Sequence, residues 1–247
     1  MMKKLLYILI SIFCLTACQN TEVAPEVKTG TLVLSLYPGP KPSVKTRSNQ
    51  DDLLAIRITR KDGKNFANGS QYLEYVVTDA TEKFVMEEGT FLIHAYSQNQ
   101  NTWHNDNGGK GSACYVGDTE VTVAHDSTSY CIYEVPMVNY AVTLTLPELF
   151  HDLFSAYTFT VSSGNRTVSL REGEKAYFSP YEAGFTYQLS ATNIDGDQHS
   201  ASAILYTNVQ RGKLYNLRYS FASSSNSGGI DIVITDDTTT DDTNISM

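Results

Sequence analysis

Val138-Asn139-Tyr140-Ala141-Val142-Thr143-Leu144-Thr145-Leu146 is the stretch whose reading decides the fold. Val138, Tyr140, Val142, Leu144 and Leu146 alternate with Asn139, Ala141, Thr143 and Thr145, which are small or polar. Successive side chains of a strand point to opposite faces, so a period of two predicts a half-buried β-strand.

Upstream of it the same signal recurs at short intervals. Leu32, Leu34 and Leu36 share one face of a strand over 31–37, and Pro38-Gly39-Pro40-Lys41-Pro42 stops it, because proline cannot donate to a ladder. Strands are predicted over 53–59, 72–77, 83–86, 90–96, 112–116, 120–124 and 130–135, with a turn at Lys61-Asp62-Gly63-Lys64. Residues 98–111 read as a long loop. Downstream, strands are predicted over 157–161, 167–170, 175–178, 185–191, 201–206 and 213–221. The one helical signal is 147–154, with Pro147 at its first turn and Leu149, Phe150, Leu153 and Phe154 on its apolar side, capping a sandwich end.

Many short strands separated by turns predict an all-β chain of two tandem immunoglobulin-like or transthyretin-like β-sandwiches with one short helix. Pro136 divides them, giving an N-terminal sandwich over 30–135 and a C-terminal one over 136–222. Glu88-Gly89-Thr90-Phe91 and Ala183-Gly184-Phe185-Thr186 echo each other faintly across the halves. Residues 223–247 comprise a Ser/Gly-rich linker, a last strand at 230–234 and an acidic tail rich in Asp and Thr. The abundance of aromatic rings, 16 Tyr and 10 Phe beside a single Trp, favours strands over helices.

The N-terminus carries a different message. Lys3 and Lys4, an apolar run over 5–13 and then Leu15-Thr16-Ala17-Cys18 follow the order of a secretory signal peptide. The ending matches the bacterial lipobox, in which the cysteine is lipidated and the peptide is cut just before it. The apolar run is shorter than the ~20 residues a spanning helix needs. Residues 1–17 are therefore read as a lipoprotein signal peptide, Cys18 as the lipidated residue and 18–29 as a tether. The expected location is the outer membrane, held by the lipid anchor, on its periplasmic or its external face. Removing Lys3 and Lys4 takes the formal charge from −9 to −11. Such an acidic chain repels nucleic acid, so no nucleic-acid partner is expected.

Chemistry-bearing patterns are scarce. The sequence holds no Gly-x-Ser-x-Gly, no His-Glu-x-x-His and no phosphate-binding glycine loop, and its five histidines are scattered. No enzyme activity, cofactor or metal is expected. Cys114 and Cys131 either pair as a disulfide in an oxidising compartment or remain as two buried thiols. The most site-like stretch is the loop containing Trp103, His104, Asn105, Asp106 and Asn107, where the only tryptophan lies among amides and a carboxylate. An aromatic face ringed by amides suits a sugar, Asp106 with its neighbouring amides offers oxygens to calcium, and a plain polar loop packed on the sandwich end is the third reading.

The order Gly89-Thr90-Phe91-Leu92-Ile93-His94-Ala95, then Cys114-Tyr115-Val116-Gly117 before Glu120-Val121-Thr122-Val123, then the strand at Val138, the short helix and Tyr157-Thr158-Phe159-Thr160-Val161 resembles a family of lipoproteins of Bacteroides-type bacteria with a domain of unknown function. That family is similar in organisation to fimbrillin-like pilus and adhesin proteins. The resemblance spans roughly 30–234 and implies a surface or outer-membrane β protein working without catalysis, in adhesion or a fimbria-like assembly, through a protein partner. The alternative is a glycan-binding surface lipoprotein that captures polysaccharide. The pilus comparison also implies a processing position, Arg47, after which the first strand would be cut away, with the strand at 230–234 as a donated strand; the plain alternative is that Arg47 is a solvated loop residue and 230–234 pairs within its own sandwich.

Overall fold

The computed structural model describes residues 27–39, 54–179, 184–221 and 230–237. The segment expected to be a signal peptide, Cys18, Arg47, the Ser/Gly-rich linker and the tail beyond Asp237 lie outside the described residues. Among the described residues the strands are β1 (Thr29–Pro38), β2 (Leu54–Arg60), β3 (Tyr72–Val76), β4 (Thr81–Glu87), β5 (Gly89–Ser97), β6 (Val116–Val123) and β7 (Thr128–Val135), followed by β8 (Tyr140–Thr145), β9 (Phe154–Ser163), β10 (Arg166–Leu170), β11 (Lys175–Phe178), β12 (Phe185–Asn193), β13 (Gln198–Ser200), β14 (Ile204–Tyr206), β15 (Leu214–Phe221) and β16 (Ile230–Asp237).

The strands form four sheets. In the N-terminal half the orders are β4-β1-β7 and β3-β2-β5-β6; in the C-terminal half they are β11-β8-β15-β16 and β10-β9-β12-β13, with β14 also on β12. The two halves repeat one topology. Each first strand lies parallel to a late strand of its unit, β1 to β7 and β8 to β15, and antiparallel to a middle strand, β4 or β11. The faint sequence echo falls on equivalent places, since Gly89 opens β5 and Gly184 immediately precedes β12. At Gly184 the close approach is physical: a Cβ there would sit 2.0 Å from the Tyr206 carbonyl oxygen.

Each pair of sheets encloses its own core. Leu32, Leu34 and Leu36 of β1 pack with Ile56, Ile58, Phe91 and Ile93, all essentially without solvent exposure. The C-terminal core gathers Tyr140, Phe150, Phe159, Phe178, Phe185, Tyr187, Tyr215 and Leu217. At about 25 cal/mol per Å² of apolar surface removed from water, rings of this size are the dominant favourable contribution.

Three local expectations are corrected. The helix over 147–154 is a single turn, Phe150–Leu153, because Phe154 already begins β9. Only Phe150 of its apolar residues is buried, and Leu149 and Leu153 face solvent. The strands expected at 112–116 and 120–124 are one strand, β6, preceded by an irregular segment that carries an isolated bridge from Tyr115 to Met137. Finally, the deciding strand β8, an inner strand between β11 and β15, is buried on both faces, Ala141 and Thr143 included. Small side chains at those positions reflect coverage and not solvent contact.

Candidate functional site

The loop singled out by its tryptophan begins after β5. Trp103–Asn105 forms a turn of 3-10 helix and Asp106–Gly109 a further turn in which Asn107 and Gly108 adopt left-handed backbone (φ 52° and 66°). Asp106 is the loop's internal staple. One of its carboxylate oxygens accepts hydrogen bonds from Asn99 Nδ2 and Ser112 Oγ, each at 2.5 Å. Asn107 Nδ2 donates to the Gly111 carbonyl at 2.8 Å. One Asp106 oxygen is thus engaged in closing the loop, and among the described residues no group of three His, Cys, Asp or Glu side chains is placed to hold a metal.

Trp103 is turned toward the second sandwich. The Arg166 guanidinium, at the start of β10, lies 5.7 Å from its ring centroid and 5.1 Å from that of Phe178. Arg166 also donates to the carbonyl oxygens of Gly109 at 2.5 Å, His104 at 3.3 Å and Tyr177. Burial lowers the Arg166 pKa from its ordinary value, since desolvation disfavours the charged form. Beside it the Tyr177 N–H donates to the Lys110 carbonyl at 2.8 Å, and Lys110 Nζ pairs with Glu174 at 3.0 Å. The loop therefore acts as a clamp between the sandwiches: of the sequence-predicted residues, Trp103 meets Arg166 with its ring and His104 with its backbone carbonyl, Asp106 and Asn107 close the loop on itself, and the His104 and Asn105 side chains stay exposed. Arg166 carries no local sequence signal, which is why pattern reading misses it.

A second brace lies on the connection between β7 and β8. Asn139, 1% exposed, accepts from the Cys114 N–H at 3.0 Å through Oδ1, and donates from Nδ2 to the Ser112 carbonyl at 2.8 Å. Its own carbonyl accepts from the Gly212 N–H at 2.9 Å. In the structure Cys114 and Cys131 are both free, buried thiols. Cys131 packs in the N-terminal core, whereas Cys114 is bound into this connection. Burial pushes the Cys114 thiol up to about 11 and also raises that of Cys131.

Beside Lys110 a cleft of about 940 Å³ opens along the half of β9 that β10 does not cover, lined among others by His151, Tyr157, Arg171 and Glu174. The remaining feature is an edge. Among the described residues strand β7 pairs only with β1, and its outward residues Tyr130 and Ile132 are 74% and 75% exposed, as is Val85 of β4 at 80% on the same sheet. Large exposed apolar side chains on an unpaired edge are unusual, because natural edges are normally blunted by charge or proline.

The sequence profile of a domain of unknown function, DUF4493, matches residues 29–247. The chain belongs to the DUF4493 family. That agrees with the resemblance to a Bacteroides-type family carrying a domain of unknown function. No curated protein matches the DUF4493 chain in sequence. Among solved structures it is similar to a proposed cell adhesion protein of Bacteroides eggerthii, at 11% identity and a TM-score of 0.49, covering 85% of this chain and 96% of that one. It is also similar to a fimbrial assembly protein of Parabacteroides distasonis (9% identity, TM-score 0.42, 84% and 96% covered). A third is a proposed polysaccharide-binding protein of Bacteroides thetaiotaomicron (10% identity, TM-score 0.43, 84% and 98% covered). The β-sandwich assignment rests on the sheets and cores described above. No helix among the described residues is long and apolar enough to cross a membrane.

Proposed function

We propose that this chain is a lipid-anchored outer-membrane protein that works without catalysis, binding another protein in adhesion or in a fimbria-like assembly. The observation that carries the reading is the open β7 edge with Tyr130 and Ile132 standing out from it. Backbone groups on such an edge accept an extended chain, and the apolar side chains beside them add contact area. Two sandwiches clamped by Arg166 and Asn139 form a stiff support for that edge, and Cys18 supplies the anchor. Several acyl chains hold a protein on a membrane durably, at ~0.8 kcal/mol per buried methylene.

Processing after Arg47 is the alternative for an assembly subunit: the cut would release β1, which lies between β4 and β7, together with the Cys18 anchor, and leave a groove that Leu32, Leu34 and Leu36 fill in the uncut chain. In the structure β16 pairs with β15 of its own sandwich.

The test is cell adherence and sedimentation with the outer membrane, comparing the native chain with Ile132→Lys and Cys18→Ala. Ile132→Lys should abolish adherence while the protein remains in the membrane fraction, and Cys18→Ala should release it. Unchanged adherence with Ile132→Lys would sink the reading.

A second reading, polysaccharide capture, is favoured by the cleft beside Lys110, whose wall sets the Tyr157 ring among polar groups. Retardation in polysaccharide affinity gels that is lost with Tyr157→Ala would support it. Loss with Trp103→Ala alone would place the sugar on the clamp loop instead.

A further inference from the structure

The two sandwiches repeat one topology, yet they finish differently at one edge. In the C-terminal half the strand parallel to the opening strand, β15, carries β16 antiparallel on its outer side. In the N-terminal half its equivalent, β7, pairs with no strand on its outer side among the described residues. The ladder fixes which groups of β7 are free. Thr31 N–H donates to the Ser127 carbonyl and Gly39 N–H to the Val135 carbonyl, both at 2.8 Å, at the two ends of the parallel β1–β7 register. A parallel ladder uses alternate residues, so the odd-numbered residues of β7 face β1. The N–H and C=O groups of Thr128, Tyr130, Ile132 and Glu134 then point away from it. These are the residues whose side chains are exposed on the outer face.

We propose that the occupant of this edge is the β7 edge of a second copy of the chain, joined antiparallel about a two-fold axis through Cys131. The inference rests on the binding-edge reading above and names its partner. The register is self-complementary. Ile132 faces Tyr130 of the second copy and Tyr130 faces its Ile132, an aromatic and β-branched pair of the kind that stabilises sheets. Glu134 faces Thr128 of the second copy, so no like charges are opposed. Every outward backbone group of β7 finds a partner, and two three-stranded sheets become one six-stranded sheet, as an isologous interface requires. Charge discriminates against the other strand a neighbour offers: Ile230–Asp237 brings Asp231, Asp236 and Asp237 to an edge that already holds Glu134.

The axis gives a chemical readout. Cys131 of each copy would form a non-hydrogen-bonded antiparallel pair with Cα atoms about 4.5 Å apart, inside the range of roughly 4.4–6.8 Å that a disulfide spans. Copper–phenanthroline in air would take two electrons and two protons from the two thiols and leave one S–S bond between the copies.

The experiment is sedimentation velocity of the full chain in mild detergent, with copper–phenanthroline oxidation followed by non-reducing electrophoresis. The expected result is a reversible dimer, cross-linked in the native chain and in Cys114→Ser but not in Cys131→Ser. Ile132→Lys, exposed in the monomer and meeting the interface twice, should raise the dissociation constant by roughly tenfold or more. Tyr130→Glu serves as a second edge variant, with near-ultraviolet circular dichroism confirming the fold of both. A chain that stays monomeric, a dimer indifferent to both variants, or a dimer without the Cys131 cross-link overturns the proposal. Adherence lost with Ile132→Lys in a monomeric chain would sink the second copy and spare the binding-edge reading. A dimer lost while adherence persists would do the reverse.

Discussion

Replacing Asn139 with alanine tests the junction between the sandwiches. Asn139 is 1% exposed, and its amide is the partner of two buried backbone groups, the Cys114 N–H at 3.0 Å and the Ser112 carbonyl at 2.8 Å. Leaving a buried donor or acceptor without a partner costs ~1–3 kcal/mol each, so the pair amounts to ~2–6 kcal/mol. Water entering the space vacated by the amide would recover part of this, which places the expectation near ~3 kcal/mol. For a cooperative unit of this size that is a fall in Tm of ~6–12 °C. Urea titration measures the free energy, and hydrogen exchange at Cys114 shows where it is lost.

Asn139→Asp refines the test through its pH dependence. The carboxylate still accepts from Cys114 but faces the Ser112 carbonyl without a proton to donate. Its neutral form is therefore favoured in the folded state, and the carboxyl pKa rises on folding. Because the folded state then holds the proton more tightly, stability relative to the native chain should increase as pH falls toward and below the folded pKa. An alanine cost below ~1 kcal/mol, or an aspartate variant whose deficit ignores pH, would refute the junction as a bonded brace.

Arg166→Ala removes three carbonyl partners and two ring contacts, so it should cost ~2–3 kcal/mol and loosen the clamp. The chain has a single Trp, and its fluorescence should shift to longer wavelength in this variant. Alkaline stability should decline from pH ~8.5, where thiols of the unfolded chain ionise, up to about 11, where the folded Cys114 thiol does so; Cys114→Ala should flatten that part of a urea-midpoint profile. Burial also raises the Tyr187 and Tyr219 phenols, which extends the loss above pH ~10. At the acid end, hydrogen bonding from Arg60 holds the Asp62 carboxyl well below its ordinary value, and Tyr96 with Arg57 does the same for Glu74. Both carboxylates stabilise the fold above the unfolded pKa of ~4 and lose that contribution as pH drops below it, so Arg60→Gln should shallow the acid limb of thermal melts.

Alternation made most of the architecture legible. Leu32, Leu34 and Leu36 are read correctly as one buried face of β1, and Phe185, Tyr187 and Leu189 as that of β12, because one-sided burial imprints a period of two. The same reading fails on β8, where both faces are covered and the small side chains of Ala141 and Thr143 mimic a solvent face. It also overextends the helix at 147–154, since apolar spacing cannot show that Phe154 pairs in β9 across from Asn193. The loop residues were visible as chemistry but not as geometry. Nothing near Trp103 in sequence announces Arg166, a contact between residues more than sixty positions apart. An open edge is likewise invisible in sequence, because pairing is a property of neighbours and Tyr130 and Ile132 look like any other strand residues.

The repeated topology turns that edge into an argument about design. Two units built on one plan face the same hazard, an outward ladder on the strand that runs parallel to the first. The C-terminal unit meets it with β16, paired along the whole of β15 from Leu214 to Phe221. Had the N-terminal edge no partner to meet, charge or proline at positions 130 and 132 would be the economical protection, since both side chains are largely in solvent and contribute little to the core. Tyrosine and isoleucine there retain what edge protection removes: a flat ladder and apolar contact at its centre. Meanwhile Glu134 stands at one end of the strand, where it limits how far a paired edge can slide. Protection at the end with adhesiveness at the centre fixes a register, and fixing a register serves a specific partner where general stickiness would not.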